Sequence, residues 1–357
     1  MILLKELVFQ DINAFNSFLT YSFMKKLGVA IIGCGEVAKV HALAVSKNKN
    51  VELRALCDIK KQKAKHMQKQ FGGRIFWNYK KMLKENDIDI IHICTPHYLH
   101  AQMAIDSLNS GKHVIVEKPV SLSMQDAIKI LDLSKKIGKL AIPILQHRYD
   151  ENLNFVRSNL NKLGKINIIE VDLLCNRNKN YYSGWRGKKI QAGGGVLINQ
   201  GIHYIDLLLL MGGKIENFSS KIENYQKISE VDDSINISIK FKKNILASFN
   251  ATSNSIYDFK YNFEIHGSNG SCYFNDKTAE IEFKEKTKLR KIEFKEQNKK
   301  NKSEKDYYGT GHENQINDVI NSIIKNTKPK ITIEDALPSL SFILDCYKNE
   351  KINKKHI

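Results

Sequence analysis

Short apolar runs alternate with amphipathic stretches through the first 147 residues. The apolar runs lie at 27–32, 51–57, 75–77, 88–94, 113–116 and 140–145, and stretches with helical spacing separate them. Strands that are buried on both faces carry continuous apolar runs, and their alternation with helices is typical of a parallel, doubly wound sheet. The pattern therefore predicts an α/β domain that closes near His147.

The second half of the chain has a different pattern. A helix predicted over 152–163 leads to a long strand over 165–175, and the region 215–294 is rich in strands. Lys243-Asn244 and Ser268-Asn269-Gly270 are typical of hairpin turns. Two further helices are predicted at 312–325 and 334–349. We assign residues 148–357 to a second domain that binds substrate.

Residues 1–23 precede the first predicted strand. They lack the basic region and the small-residue cleavage site of a signal peptide. Met24-Lys25-Lys26 leads directly into the strand, as the beginning of a natural chain would. We interpret residues 1–23 as an extension helix or, preferably, the product of an upstream start, and we expect them to be dispensable. The first domain then spans 24–147.

Composition excludes several classes of function. The 357 residues are 42% hydrophobic and 26% charged, and no apolar run is long enough to cross a bilayer. The net charge of +18 is spread along the chain without a nucleic-acid-binding motif, so it indicates a lysine-rich solvated surface; attraction of an anionic substrate stays open. The six cysteines form no CxxC pair, which argues against a zinc site and disulfides and favours a reducing cytoplasm.

A glycine-rich turn follows the first predicted strand. The sequence Gly33-Cys34-Gly35-Glu36-Val37-Ala38 opens a predicted helix, and the second strand ends at Asp58. Glycines let the backbone approach a pyrophosphate at a helix N-terminus, and an acid about 20 residues later accepts hydrogen bonds from a ribose diol. The pattern predicts a site for NAD; NADP stays possible because Lys60 and Lys61 follow Asp58.

The fifth predicted strand brings Glu117, Lys118 and Pro119 to its carboxyl end, where ligands bind in open α/β sheets. The plainer interpretation is a surface Lys-Pro turn. In the second domain, three glycines precede an apolar helix over 196–211 that carries Asn199 and His203 four positions apart, on one face. The plainer interpretation of His203 is a core histidine with its hydrogen bonds satisfied. Several polar side chains on an otherwise apolar helix instead favour a ligand that binds them.

These pieces together resemble the Gfo/Idh/MocA oxidoreductases, over roughly residues 24–351. The motifs that carry the resemblance are GCGEVA, ICTPHYLH, VIVEKP and GGGVLINQGIHYIDLL, in the family's order. The resemblance implies an N-terminal Rossmann domain and a C-terminal α/β domain with a large open, mostly antiparallel sheet. The outer face of that sheet often forms the oligomer interface in the family, so a homodimer or homotetramer is expected.

The resemblance also assigns residues. Lys118 matches the motif lysine, with a cis bond to Pro119, and His203 matches the motif histidine, while Asn199 stands where many members have an aspartate. Cofactor contacts are expected from Gly33, Gly35, Glu36, Val37, Asp58, Thr95, Pro96, His100, Glu117 and Lys118, and no metal is expected. Members acting on nucleotide-linked sugars resemble this asparagine form.

The implied reaction is hydride transfer between a sugar ring carbon and nicotinamide. His203 is the preferred base, because its ordinary pKa is near neutral, and Lys118 is the alternative. Arg186 and Trp185, in a basic and aromatic loop over 177–189, suit a UDP-linked N-acetylhexosamine or its uronic acid, in the synthesis of surface-glycan precursors. The plainer interpretation of that loop is a solvated basic segment with Trp185 buried as a packing anchor. A free polyol or inositol dehydrogenase, and a non-catalytic dinucleotide-binding regulator, stay open as alternatives.

Overall fold

The computed structural model describes residues 26–275, 277–284, 290–293 and 310–353. Residues 1–23, which we interpret as an extension or an upstream start, lie outside these ranges. The described chain forms two sheets, one of six strands and one of eight.

The six-stranded sheet is parallel, as the alternating pattern predicts. Its strands are β1 (Leu27–Ile32), β2 (Val51–Cys57), β3 (Arg74–Phe76), β4 (Ile90–Ile93), β5 (His113–Val116) and β6 (Ala141–Pro143). Their order is β3-β2-β1-β4-β5-β6, so successive strands are added on one side of β1 up to β3 and on its other side from β4 onward. A crevice at such a switch point, outside the carboxyl ends of the strands, is where this class of fold binds dinucleotides.

Helices cover the two faces of this sheet and connect its strands. They are α1 (Glu36–Lys47), α2 (Lys61–Phe71), α3 (Tyr79–Met82), α4 (His100–Asn109) and α5 (Met124–Ile137). Side chains from the two faces of the strands lie in two separate apolar clusters; Ile31 belongs to one and Ile32 to the other. The strands are buried on both sides, which explains their continuous apolar runs.

The eight-stranded sheet is mostly antiparallel, as the hairpin signals and the resemblance imply. Its strands are β7 (Ile166–Asn176), β8 (Ile215–Glu223), β9 (Ser234–Phe241), β10 (Ile245–Thr252), β11 (Asn254–Gly267), β12 (Gly270–Phe274), β13 (Thr278–Phe283) and β14 (Arg290–Glu293). The order is β14-β13-β12-β11-β7-β10-β9-β8, and only β7 and β10 pair in parallel. One face packs on helices, while Ile168 and Leu246, which are paired neighbours, are 40% and 55% exposed on the other.

The helices of the second half fall into two groups. Those that pack around the large sheet or connect to it are α6 (Glu151–Asn159), α7 (Lys179–Tyr182), α8 (Lys189–Ala192) and α9 (Ile202–Gly212). The stretch 189–212 is apolar and long enough to cross a membrane by composition, but it is mostly buried as the core helix of the second domain. The last two helices are α10 (Gly311–Lys325) and α11 (Ile333–Asn353).

The chain returns to the Rossmann domain at its C-terminal end. Ile316 and Ile320 of α10 belong to the apolar cluster on one face of the parallel sheet, and Leu340 of α11 belongs to the cluster on the other face. The C-terminal helices, which the sequence assigns to the second domain, thus pack on the core of the first domain. α11 also reaches the apolar cluster around the large sheet, through Phe342, Ile343 and Cys346. The order of elements along the sequence does not reveal this packing.

Candidate functional site

The glycine turn and Asp58 lie together at the switch point. Gly33 has φ +90°, and a Cβ on it would lie 2.6 Å from the carbonyl oxygen of Cys94. The Asp58 carboxylate follows β2 and accepts hydrogen bonds from the backbone N–H of Cys34, at 2.8 Å, and of Lys60, at 2.7 Å. Only glycine at position 33 lets the chain after β1 come this close to the chain after β4.

The residues present suit a dinucleotide. The space around a Cβ on Gly35 is open to 4 Å, and α1 begins there without a side-chain cap. The free N–H groups of the first turn, which includes Glu36 and Val37, therefore face an open surface suited to a pyrophosphate. A carboxylate has about four lone-pair positions, so Asp58 keeps capacity for a ribose diol beyond its two backbone bonds.

Lys118 follows β5 at the same edge and reaches the second domain. Its bond to Pro119 is cis, which confirms the prediction. Its ammonium donates to the backbone oxygen of Asn199 at 2.5 Å and lies 3.4 Å from the side-chain oxygen of that residue. Burial lowers the pKa of Lys118 to about 8; Glu117 opposes this shift, and Arg186 and Arg177 add to it. The lysine is thus close to changing charge near neutral pH.

The segment that carries Asn199 is wider than the regular helix predicted over 196–211. Leu197–Gly201 forms a π-helical turn, and the α-helix begins only at Ile202. Asp232 stabilises its start by accepting hydrogen bonds from the N–H of Gly195, at 2.6 Å, and of Leu197, at 3.1 Å. π-Turns within helices are frequent at functional sites. Here the wide turn carries the carbonyl that receives Lys118.

His203 lies one turn beyond Asn199 and is 8% exposed. Its Nε2 is 3.4 Å from the Gln146 side-chain nitrogen, and its Nδ1 has no hydrogen-bond partner among the described residues. Burial lowers the pKa of His203 well below the ordinary value, and the charges of Lys118 and His147 lower it further. The ring is therefore neutral at physiological pH, with one nitrogen able to accept a proton.

Asp206 shares the polar face of this helix but does not belong to the reacting group. Arg148 donates to its carboxylate through Nε and Nη2, both at 2.8 Å, and donates to Asp335 through Nη1 at 2.9 Å. The bidentate pair ties the helix to the end of the first domain and to α11. A structural ion pair thus accounts for one of the polar groups that suggested a ligand.

The loop over 177–189 is folded rather than a solvated segment. Tyr181 accepts hydrogen bonds from the amides of Asn199, at 3.0 Å, and Gln200, at 2.9 Å. Trp185 is half-buried, and its ring lies 4.5 Å from that of His97 in the first domain. The loop therefore bridges the two domains and brings its cationic side chains to the cleft.

The two arginines of this loop, Arg186 and Arg177, differ in their contacts. The Arg186 guanidinium lies over Tyr181 and Trp185, at 5.0 and 4.7 Å from the ring centroids, and makes no hydrogen bond or ion pair with any described residue. Arg177 is 7% exposed and donates to the carbonyl oxygens of Asn176, at 2.7 Å, and Asp258, at 3.1 Å. Arg186 is thus the arginine of the pair that has donors available for an anion.

Two residues expected to contact the cofactor have other partners. The His100 nitrogens lie 2.7 Å from the carbonyl oxygen of Pro119 and 2.8 Å from that of Thr95. His100 therefore packs between the loops after β4 and β5, with both ring nitrogens against backbone carbonyls. Glu117 is 6% exposed, and its Oε1 bonds to His41 and His312. Both residues lie at the expected edge of the sheet, and their contact with a cofactor stays a prediction.

Sequence reasoning missed residues that orient the site. Gln146 lies against His203, Tyr181 holds the π-turn, and Asp232 caps it. His147 packs edge-on against the ring of His203, with centroids 5.1 Å apart, and bonds to Asp150 at 2.6 Å. Gln146 and His147 directly follow the sixth predicted strand, and that position is the signal that could have found them. Asp232 carries no such signal.

Two known dehydrogenases are similar in sequence to part of the chain. The chain is 34% identical over 191 residues to glucose-6-phosphate 3-dehydrogenase from Bacillus subtilis, which covers 52% of the chain and 53% of that protein. It is 30% identical over 206 residues to D-glucoside 3-dehydrogenase from Escherichia coli, covering 57% of the chain and 58% of that protein. These alignments thus span little more than half the length of either relative.

Solved structures match over nearly the whole fold. The WlbA dehydrogenase from Bordetella pertussis, in complex with NADH and UDP-GlcNAcA, has a TM-score of 0.82 at 23% identity, covering 92% of this chain and 96% of that one. The WlbA dehydrogenase from Chromobacterium violaceum, with the same two ligands, has a TM-score of 0.79 at 26% identity, covering 92% and 94%.

Two family models match successive parts of the chain. Residues 27–144 match the Gfo/Idh/MocA oxidoreductase family model with an NAD-binding Rossmann fold, and residues 159–273 match the Gfo/Idh/MocA C-terminal domain. The chain, with its glycine turn, motif lysine and motif histidine in place, belongs to the Gfo/Idh/MocA oxidoreductase family.

Proposed function

We propose that this protein is an NAD-dependent dehydrogenase that oxidises or reduces a ring carbon of a nucleotide-linked sugar. The class we favour is a UDP-linked N-acetylhexosamine or its uronic acid. The observation that carries the proposal is the meeting of Lys118 and the His203 helix at the dinucleotide edge, beneath an arginine with unused donors. A regulator without catalysis would have no need of a neutral buried histidine next to a lysine.

The proposed roles follow from the protonation states. The nicotinamide ring, when bound, supplies the hydride acceptor or donor. His203 is unprotonated because burial holds its pKa below the ordinary value, so one ring nitrogen is available to accept the hydroxyl proton as a sugar alcohol is oxidised. Lys118 donates a hydrogen bond to the same oxygen and stabilises the negative charge that develops on it. Proton removal and charge stabilisation thus come from the two different domains.

The substrate class rests on Arg186 and its neighbours. A guanidinium that lies over two aromatic rings keeps its fork of N–H donors in a fixed plane, which suits a pyrophosphate or a uronate. The WlbA structure from Chromobacterium violaceum, at 26% identity, holds UDP-GlcNAcA beside NADH. That ligand has both anionic groups, so it is the first substrate to test.

A second candidate is a free hexoside or a hexose phosphate. It is favoured by the relatives at 34% and 30% identity, whose names specify dehydrogenation of glucose 6-phosphate and of D-glucosides. A phosphate on the sugar would use the same Arg186 donors. A neutral glucoside or inositol would leave them without a charged partner.

The test is a comparison of four substrates with NAD, followed at the absorbance band of the reduced cofactor. They are UDP-GlcNAcA, glucose 6-phosphate, a methyl glucoside and myo-inositol. We expect the highest kcat/KM with UDP-GlcNAcA. Turnover of the neutral sugars with no binding of a UDP-sugar would show that the substrate class is wrong. No turnover of any substrate, with retained NADH binding, would favour the regulator.

Arg186→Ala separates recognition from chemistry. Loss of a hydrogen-bonded charge costs about 1.5–3 kcal/mol, so KM for UDP-GlcNAcA should rise about 10- to 100-fold while NADH affinity stays the same. Lys188→Ala is the matched control, because it removes the same charge from an exposed position of the same loop. An equal effect of both changes would indicate general attraction of anions rather than a defined contact.

We also propose that the protein is a cytoplasmic homo-oligomer that pairs through the outer face of the large sheet. Ile168 and Leu246 lie side by side there, and Tyr273, 40% exposed, lies on the same face. Analytical ultracentrifugation of the wild type and of Leu246→Lys is the test. Unchanged association of the variant would exclude this face.

A further inference from the structure

Four ionisable side chains from four elements meet in the interior behind Lys118. They are His41 on α1, His92 on β4, Glu117 after β5 and His312 on α10. None is more than 6% exposed. The roles proposed above for the cofactor, the sugar and the proton do not use any of the three histidines. Buried ionisable groups are costly unless they are paired, so an arrangement of this kind requires a reason.

The hydrogen bonds within this histidine–glutamate cluster determine its charge. Nε2 of His41 lies 3.0 Å from Oε1 of Glu117, and Nε2 of His312 lies 3.3 Å from the same oxygen. An ionised carboxylate can only accept, so both nitrogens carry a proton and donate to it. Nδ1 of His41 is 3.0 Å from Nδ1 of His92, which connects β4 to the same chain of bonds.

Glu117 is held as a carboxylate by these bonds. Burial alone would raise its pKa, but the hydrogen bonds from His312 and His41 outweigh burial and hold the pKa well below the ordinary value. Cys94, on the segment after β4, also lies within the electrostatic influence of Glu117. The result is a fixed negative charge in the interior, immediately before the motif lysine in the chain.

Lys118 is surrounded mainly by groups that disfavour its charge. The ionisable groups that interact with it are Glu117, its neighbour after β5, Arg177 and Arg186 on the loop, His203 on the core helix, and His97 and His100 after β4. Burial and the two arginines favour the neutral amine, and Glu117 opposes them. The negative charge of Glu117 therefore stabilises the protonated form of Lys118.

We propose that His41 and His312 are positioning residues that hold Glu117 ionised and fixed, so that Lys118 meets the substrate oxygen as an ammonium donor and leaves proton removal to His203. This inference rests on the proposed dehydrogenase function, but the charge of Lys118 can be measured without turnover. Since His312 belongs to α10, the C-terminal segment takes part in setting the state of a residue in the first domain.

A metal ion is the competing explanation of the cluster. Nε2 of His41, Oε1 of Glu117 and Nε2 of His312 lie within 4.8 Å of one another, and two histidines with a carboxylate are a common zinc set. The hydrogen bonds already satisfy these three atoms, and a metal would have to displace both protons. Elemental analysis of the purified full chain decides between them: stoichiometric zinc removed only by chelators would overturn the proposal.

The main test is the rate at which the Lys118 amine is acetylated as a function of pH, measured by mass spectrometry of its peptide. Only the unprotonated amine reacts, so the midpoint reports the pKa of Lys118. Glu117→Gln keeps the shape of the side chain and removes the charge, and it should lower the midpoint by about one unit or more. An unchanged midpoint would overturn the proposal.

Two changes at His312 separate positioning from a structural role. His312→Gln keeps an N–H donor and should leave the Lys118 midpoint near that of the wild type. His312→Leu removes one of the two bonds that fix the carboxylate, which stays ionised but can turn away from Lys118, so the midpoint should fall. Equal midpoints in the two variants would overturn the role of His312. Thermal melting shows whether each variant is folded; if His312→Leu is not, the His41→Gln and His41→Leu pair applies the same test.

The result is distinguishable from failure of the proposed function. If no sugar is oxidised, the labelling midpoints still report whether the cluster controls the lysine. If turnover is found, the basic limb of the kcat/KM profile should move with the labelling midpoint in Glu117→Gln. A basic limb that stays in place while the midpoint moves would show that Lys118 does not act as the ammonium donor.

Discussion

The candidate site lies in a cleft between the two domains, and its two walls are held by different kinds of contact. On the Rossmann wall, Gly33, Asp58 and Lys118 each lie within two residues of the end of a strand of one parallel sheet, so strand order brings them together. On the opposite wall, Asn199 and Arg186 depend on contacts between distant segments, such as the bonds to Tyr181. The first wall is typical of cofactor sites, and the second is where recognition of a substrate can vary without loss of the fold.

Among the changes that distinguish the two walls, replacement of the proposed base should have the largest effect. In His203→Asn the second wall loses its proton acceptor, so kcat should fall about 10²- to 10⁴-fold while NADH still binds to the first wall. Single-turnover rates and NADH fluorescence titration measure the two separately. His66→Asn, an exposed histidine on α2, is the control. An undiminished kcat would transfer the role of base to Lys118.

The charge on Lys118 can be altered from the second wall. Activity should be lost as pH rises through about 8, where the lysine ammonium loses its proton, and should persist at acid pH until His203, with its low pKa, is protonated. Asn199→Asp places a negative charge at an oxygen 3.4 Å from the ammonium. This should move the basic limb of the kcat/KM profile upward by about one unit. If the basic limb of the profile does not move, Lys118 is not the group that titrates there.

The Rossmann wall should set the choice of cofactor by itself. Asp58→Asn keeps an oxygen for the Cys34 N–H and removes the charge that repels a 2′-phosphate. We expect the preference for NAD over NADP, measured as a ratio of kcat/KM values, to fall about tenfold. Glu52→Gln, an exposed acid on the same strand, should leave the ratio unchanged. A wild type that prefers NADP would contradict the assignment of Asp58.

The smallest effect should come from the contact that connects the loop to the π-turn. Tyr181→Phe removes the oxygen that accepts from Asn199 and Gln200, at a cost of about 1 kcal/mol in the free energy of unfolding. KM for the sugar should rise more than kcat falls, because the second wall loosens. Denaturant titration and steady-state kinetics test this, with Tyr225→Phe, 63% exposed, as the control.

The same difference explains what the sequence could predict. The glycine turn, Asp58 and Lys118 were predictable because each is local to a strand, and periodicity locates strands well. Asp206 and Arg148 form an ion pair across 58 positions, and Asp232 caps a turn that begins 35 positions earlier. Neither pair leaves a local pattern. The π-turn was unpredictable for the same reason, since the amino-acid pattern of an α-helix and of this wider turn is identical.

The return of the chain to its first domain has a consequence for synthesis. Ile316, Ile320 and Leu340 close apolar surface of the parallel sheet, yet they leave the ribosome after nearly all other residues. Domains that are continuous in sequence can fold while translation proceeds. Here the dinucleotide domain has to wait, with part of its core open, until the large sheet has been made. Truncation before α10 should therefore leave apolar surface of the first domain open to proteolysis, and the loss of Phe342, Ile343 and Cys346 would open the core of the second domain as well.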